Sequence, residues 1–479
     1  MVSNLKNHKY NKKKALIQPP MNRLPNQTPV SWTDDRLPEY LWLGLILMAY
    51  DRTEGIEKVG KILKGISNVN ESILEPKLST ILLLDESQQE EIYEIIISEI
   101  DSKILAPLTL IYRNINYSVF NKYFNFHETL LQHKLTKIDS AIKLYYNHQA
   151  NESTDLRFCV LFMLIFQDKL RMPKEMVISL SEYPYTSHED EKMRQYRPLV
   201  RASEMTMGMT DIANSRNQEF IDNFWKEIGL KIDCNPIVIG FNKEEDAVDY
   251  KAYILDFQKK LNHLINEQKD KSLMDDKFDV ILGTTTYSLK IFNDVVEKEL
   301  DESILGRHAY RTILEAYINI KYLLKIETEH TNIWEEYKLY GIGKYKLPLL
   351  KERESSRTKD KTHFVEPVID SIINEILWEE FVDIDLRYFD KKKIKEKFEE
   401  VGEKDLYEIL YEYDNNFIHG FWGAVRESSM LHCNNPSHRY HSIPDISFEQ
   451  KMISINHDIY KIINKFFLLV SDEYQHEYK

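Results

Sequence analysis

Residues 411–444 read YEYDNNFIHGFWGAVRESSMLHCNNPSHRYHSIP, and this stretch holds four histidines, two arginines and one cysteine. Its first part belongs to a proline-free segment, 406–431, whose apolar residues recur with a helical period. The sequence therefore predicts one helix that ends near His432 and is followed by a loop, because Asn-Asn-Pro at 434–436 is typical turn chemistry. Long helices of this kind, with no convincing run of alternating strands elsewhere, predict an all-α fold.

One face of the predicted helix is polar. Asn415, His419 and Arg426 recur at helical spacing and would lie on the same side, with Asn416 beside them. Histidine titrates near neutrality, so this face is a candidate acid/base site with His419 at its centre. The alternative is that these side chains cap the helix and attach the following loop to the core, as most buried polar groups do.

A second polar stripe lies on another predicted helix, at 303–326. It consists of polar side chains spaced like core residues: His308, Arg311, Glu315, Asn319 and Tyr322. Because the rest of that helix is apolar or aromatic, these side chains must be either hydrated or paired. In one alternative Arg311 and Glu315 form an ion pair on a solvent face. In the other, the stripe faces the polar side of 415–426 across a helix pair.

Composition limits the class of protein. The chain has 479 residues, 63 Lys and Arg against 77 Asp and Glu, and a formal net charge of −14, which argues against a general nucleic-acid scaffold. Only 14 glycines and 15 prolines favour long helices. Three widely spaced cysteines make no disulfide framework, and the longest apolar run, 40–50, is too short to span a bilayer. We therefore expect a cytoplasmic protein with no membrane segment.

Shifts in composition predict three segments. Residues 1–34 are rich in lysine and proline and are expected to form a flexible tail. Helical patterns then fill an N-terminal domain, 35–242, and a C-terminal domain, 243–479, with no internal repeat.

Metal and cofactor motifs are absent or incomplete. No phosphate-binding glycine loop, nucleophile elbow or HExxH motif occurs. Cys433, His438 and His441 offer thiolate and imidazole ligands that suit zinc, but Cys-x4-His-x2-His with one cysteine is not a standard finger. The sequence therefore predicts no bound metal and no cofactor. A metal-dependent enzyme that uses these three residues is kept as a further hypothesis.

The spacing of Arg426 and His432, with five residues between them, fits the loose Arg-x(4–6)-His pattern of HEPN ribonucleases. Asp414, Asn415 and His419 also echo the tighter form Arg-Asn-x-x-x-His, with an aspartate where the arginine should stand. Most of the chain, moreover, resembles a bacterial family known only as a domain of unknown function, whose helical C-terminal domain is similar to HEPN domains. The segments that carry this resemblance are 37–52, 183–184, 201–205, 224–236, the pair Arg311 and Glu315, and 418–444.

The resemblance implies a HEPN-like C-terminal bundle and metal-independent cleavage of RNA in anti-phage defence or a toxin system. Such proteins usually form homodimers. The positions of this chain that match the family are His419, Arg426, His432, Arg311 and Glu315, and His308, Asn415 and Asn416 would support them. The alternative, favoured by Asp414 in the arginine position, is a non-catalytic helical sensor or interaction module that binds a partner protein of a defence system.

Overall fold

The structure is a computed structural model, and it describes residues 4–20, 30–113, 117–126, 130–169, 173–209, 217–237, 248–269, 274–355, 362–385, 389–438 and 441–474. The described residues are 69% helix and 3% strand, which confirms the all-α prediction. Within the described residues, no helix is both long enough and apolar enough to cross a bilayer.

The chain divides into two compact units. The first consists of Met1–Ile237 together with Cys433–Ser442, and the second of Val238–His432 and Ile443–Lys479. The predicted boundary at 242/243 lies outside the described residues. The sequence pattern gave no sign that Cys433–Ser442 groups with the first unit.

The first unit is built on ten helices within its described residues. They are α1 Leu37–Leu47, α2 Arg52–Val69, α3 Leu78–Leu82, α4 Glu86–Glu99, α5 Ser118–Phe124, α6 Leu131–Tyr145, α7 Asn151–Phe166, α8 Lys174–Glu182, α9 Met193–Met209 and α10 Gln218–Gly229. Helices α1 and α7 are apolar around most of their circumference, so both are buried in the middle of the core, as helices without a polar face must be.

Charged side chains penetrate this core as a paired network. Arg36 donates to Glu204, which is fully buried, and Arg157 Nε lies 3.4 Å from the second carboxylate oxygen of Glu204. The Tyr40 hydroxyl donates to Glu75 over 2.6 Å, and Glu75 lies 3.8 Å from Arg36. Buried charges persist only when they are paired in this way, so these residues hold α1 and α9 in register.

Another arginine of the first unit, Arg52, connects two of the segments that carry the family resemblance, 37–52 and 183–184. Arg52 lies 3.0 Å from the Asp155 carboxylate and donates to the backbone carbonyls of Tyr183 and Pro184, each over 3.0 Å. The guanidinium thus links the start of α2 to α7 and to the turn after α8. These residues have a packing role in the first unit.

The second unit has nine helices within its described residues. They are α11 Tyr250–Gln268, α12 Asp276–Glu297, α13 Ile304–Ile326, α14 Ile333–Glu354, α15 Glu366–Ile373, α16 Ile394–Glu400, α17 Glu412–Ile418, α18 Trp422–Ser428 and α19 Asn456–Tyr474. A π-helical turn, Leu406–Tyr411, leads into α17. Helix α13 packs against α12, α17 and α19, so its apolar side lies in the core while its polar stripe reaches the segment that carries the candidate site.

The described strands are short. An antiparallel hairpin joins β1 Lys9–Asn11 to β2 Leu16–Gln18, and a second pair joins β3 Met430–His432 to β4 Ser442–Pro444. The hairpin lies in the segment predicted as a flexible tail, and at the end of that segment Trp32 is buried in a π-helical turn, Trp32–Arg36.

Candidate functional site

Helix α13 begins where the sequence predicts, because the Ser303 hydroxyl caps it by accepting from the Gly306 N–H. One turn further along, Arg311 lies 3.2 Å from Glu315, and both side chains contact the Tyr411 hydroxyl, over 2.5 Å and 3.2 Å. The ion pair expected from the sequence is therefore present. It is half-buried against Tyr411, whose ring also lies 4.6 Å from the guanidinium.

The rest of the stripe is also paired. His308 Nε2 lies 3.2 Å from the backbone carbonyl of Phe417, and Lys397 donates to the Asn319 side chain over 3.5 Å. The Tyr322 hydroxyl donates to Asp390. The stripe does face α17 and its neighbours, but the partners are Tyr411 and Phe417 rather than the predicted Asn415, His419 and Arg426.

The prediction of a single helix over 406–431 is wrong. Helix α17 ends at Ile418, Gly420 adopts a φ of +59°, and Phe421 is extended at φ −66° and ψ 152° before α18 begins. A left-handed residue followed by an extended one stops a helix, and only glycine adopts the first conformation without strain. His419 is therefore the C-cap of α17, Arg426 lies on a separate short helix, and the two do not share a helix face.

His419 lies at the surface beside two exposed aromatic residues. Its ring stacks on Phe421 with centroids 5.4 Å apart, and Phe421 and Trp422 are 56% and 65% exposed. Asn416 has a local role, because its side-chain amide donates to the Glu412 carbonyl over 2.8 Å. Of the polar residues predicted to share this helix face, His419 is exposed, and it is therefore accessible to a substrate.

Arg426 and His432 come together although the helix that carries Arg426 ends before His432. Helix α18 ends at Ser428, His432 closes β3, and Arg426 donates to the Leu431 carbonyl over 3.3 Å. Burial, and then the charge of Arg426, lower the pKa of His432, although a hydrogen bond to the Arg426 backbone offsets part of this. Its Nε2 atom is buried with no hydrogen-bond partner in the described part of the chain.

Asp414 is the most perturbed carboxyl near this site. Burial raises its pKa to about 7, while Arg307 and Arg311 favour the charged form and Asp458 and Glu427 oppose it. Its Oδ1 atom is buried and has no hydrogen-bond partner among the described residues. A carboxyl in this state can exchange a proton near neutral pH. The sequence did not single it out as a titrating group, because its burial depends on the fold.

A second set of reactive side chains lies in the first unit. Cys433, His438 and His441, the three zinc-type residues noted in the sequence, are joined by Cys234, and the four ligand atoms lie within 4.8 Å of one another. Cys234 Sγ lies 3.2 Å from His441 Nδ1, which is 3.1 Å from His438 Nδ1. Sequence reasoning missed Cys234 because it is 207 positions from His441, and no local spacing signals such a distant ligand.

Comparison with known protein families shows a similarity over part of the chain. The model of a family of unknown function (DUF5677) matches residues 278–438, a segment that begins in α12 and includes Arg311, Glu315, His419, Arg426 and His432. No curated protein and no solved structure matches the chain. Over this segment the chain is similar to a family whose function is not known.

Proposed function

We propose that the second unit is a HEPN-like, metal-independent endoribonuclease whose reaction centre is formed by Arg426 and His432. The proposal rests on one observation. Burial and the nearby charge of Arg426 lower the pKa of His432, whose buried Nε2 has no hydrogen-bond partner within the described residues. A neutral imidazole can accept a proton at neutral pH, and a fixed positive charge stabilises a phosphorane-like transition state. The resemblance suggests a setting in anti-phage defence or a toxin system, with a homo-oligomeric enzyme.

The reaction would proceed without a metal ion. His432 would take the proton from a ribose 2′-hydroxyl, and the 2′-oxygen would attack phosphorus as the bond to the 5′-oxygen breaks. A second residue, acting as the acid, would protonate the leaving 5′-oxygen, and the exposed His419 is the candidate for that role. The products would be a 2′,3′-cyclic phosphate and a 5′-hydroxyl, and the need for a 2′-hydroxyl would restrict cleavage to RNA.

The contacts of Arg311 and Glu315 favour a positioning role for both residues. Each is engaged by the other and by Tyr411, and the Nε of Arg311, which has no hydrogen-bond partner among the described residues, is buried away from a phosphate in solution. By fixing Tyr411 at the start of α17, they would set the position of the segment that leads to His419. His308, bonded to the Phe417 carbonyl, would support the same segment from α13.

The decisive experiment is cleavage of total cellular RNA by the purified protein in EDTA. We expect wild type to give defined fragments with 2′,3′-cyclic phosphate ends. His432→Gln should lower the rate by at least about a hundredfold, which is the usual minimum for loss of a general acid or base. His330→Ala is the matched control, because His330 is an exposed histidine of the same unit that pairs with Glu336 over 2.9 Å. It should cut like wild type.

Two results would contradict the proposal. One is equal cleavage by wild type and His432→Gln, which would mark the activity as a contaminant. The other is no cleavage by folded wild type, both alone and when it is produced in cells challenged with phage.

A second function, a non-catalytic interaction module of a defence system, is favoured by a different observation. Asp414 is buried where the tighter HEPN pattern has arginine, and Phe421 and Trp422 are exposed beside His419. Aromatic side chains of this kind are enriched in protein interfaces. Under this reading Trp422→Ala would abolish binding of a partner protein, and no RNA would be cut by any variant.

A further inference from the structure

We propose that Cys234, Cys433, His438 and His441 form a structural zinc site in the first unit. A tetrahedral ion with Zn–S bonds of about 2.3 Å and Zn–N bonds of 2.0–2.1 Å keeps its ligand atoms about 3.3–3.8 Å apart. The two separations centred on His441 Nδ1 are 3.2 Å and 3.1 Å, and all four ligand atoms lie within 4.8 Å of one another. The four atoms therefore lie close enough together for one ion to bind all of them after small side-chain shifts.

The orientation of His438 supports this assignment. Its Nε2 donates to the backbone carbonyl of Ile232, two residues before Cys234. In the neutral ring this bond places the proton on Nε2 and leaves a lone pair on Nδ1, which lies 3.1 Å from His441 Nδ1. Zinc-binding histidines are held in the same way, by a hydrogen bond from the ring nitrogen that does not bind the ion.

The two segments that supply the ligands are also anchored by other contacts. Ser437 is fully buried, and its hydroxyl donates to Asp139 over 2.7 Å. The side chain of Asn435 donates to the Asp233 carbonyl over 3.4 Å, next to Cys234. These contacts hold the ligand-bearing segments together without the ion, which would lower the entropic cost of ion binding.

The ligand set indicates a closed site. Two thiolates and two imidazoles complete a tetrahedron with no position left for water or substrate, as in structural zinc sites. Thiolate and imidazole ligands select zinc over magnesium or calcium, which bind oxygen. The proposed ion does not take part in RNA cleavage, and this inference stands independently of the proposed ribonuclease activity.

The test is metal content and cobalt binding of the full-length protein, purified under reducing conditions without a metal-affinity tag. We expect one equivalent of zinc in wild type. After removal of zinc, addition of Co²⁺ should produce the thiolate-to-metal charge-transfer and visible d–d absorption of a tetrahedral site. Cys234→Ser and His441→Ala should each weaken Co²⁺ binding by more than the roughly 10- to 100-fold typical of losing a hydrogen-bond partner of a ligand.

Asn434→Ala is the matched control, because Asn434 is exposed in the same segment and contributes no ligand. It should bind one equivalent like wild type. The proposal is overturned if folded wild type neither contains stoichiometric zinc nor gives the cobalt spectrum. It is also overturned if Cys234→Ser, shown by circular dichroism to be folded, binds cobalt as tightly as wild type. The four side chains would then be a hydrogen-bonded cluster or a Cys234–Cys433 disulfide.

Discussion

Asp414 shows how one residue can give the second unit a pH dependence. Its carboxyl is 3% exposed, and burial raises its pKa from the ordinary 3.8 to about 7. In the unfolded chain the group would lose its proton near the ordinary value. Between these two pH values the folded state therefore binds more protons than the unfolded state, and stability falls as pH rises.

Replacing this residue removes that dependence. We expect Asp414→Asn to raise the free energy of unfolding at pH 8, by at most a few kcal/mol at about 1.4 kcal/mol per pKa unit. The gain should shrink as pH falls through 7 and vanish below about pH 3, where the wild-type carboxyl is protonated in both the folded and the unfolded chain. Urea denaturation at several pH values measures this. Asp405→Asn, at an exposed aspartate of the same unit, should show no such trend, and a pH-independent gain in Asp414→Asn would contradict the explanation.

The break between α17 and α18 can be tested by substituting two glycines that lie three residues apart. Gly420 has a φ of +59°, whereas Gly423 lies within α18. Apart from its chain neighbours and its own helix, a Cβ at either position would meet no atom of the described residues within 4 Å. Space is therefore equal at the two sites and only backbone conformation differs. Gly420→Ala should destabilise the second unit by about 1–2 kcal/mol through left-handed strain. Gly423→Ala should stabilise it by up to about 1 kcal/mol through helix propensity.

Denaturation of the two variants side by side checks this prediction. Opposite signs are expected, and a stabilising Gly420→Ala would mean that the segment can form the continuous helix that the sequence pattern suggests.

The same break shows where prediction from sequence ends. The bounds of α13 follow from local chemistry, a serine cap and helical periodicity, so the sequence predicts them within one residue. The segment 406–431 carries the same periodicity, yet it divides at Gly420, because glycine permits a break without requiring one. Tertiary contacts decide such a case. For the same reason the sequence identified Arg311 and Glu315 as a pair but not Tyr411 as the residue they hold.

The site in the first unit fails local prediction for a different reason. Cys433, His438 and His441 are close in sequence and were visible as ligand types, whereas Cys234 follows α10 in a distant part of the chain. Only the grouping of Cys433–Ser442 with the first unit brings it to the others. Long-range topology of this kind has no signal in a single sequence.

At the scale of the whole molecule, the two units have separate hydrophobic cores. Within the described residues, one core contains apolar residues between Trp32 and Ile228, the other contains residues between Tyr250 and Val470, and the two share no residue. The buried charge network around Glu204 belongs to the first, and Asp414 belongs to the second. Chains with several cores commonly unfold in more than one step, so each unit should have its own transition.

Calorimetry can assign those transitions with variants. Glu204→Gln removes the buried carboxylate that pairs with both Arg36 and Arg157, a loss of about 3–5 kcal/mol that should lower one melting temperature by roughly 10 °C. At pH 8, Asp414→Asn should raise the other. Removal of zinc from wild type should lower only the transition that Glu204→Gln moves, because all four proposed ligands lie in that unit. A metal effect confined to the transition that Asp414→Asn moves would show that the ion is held elsewhere, and one merged transition in every variant would show that the two cores unfold as one.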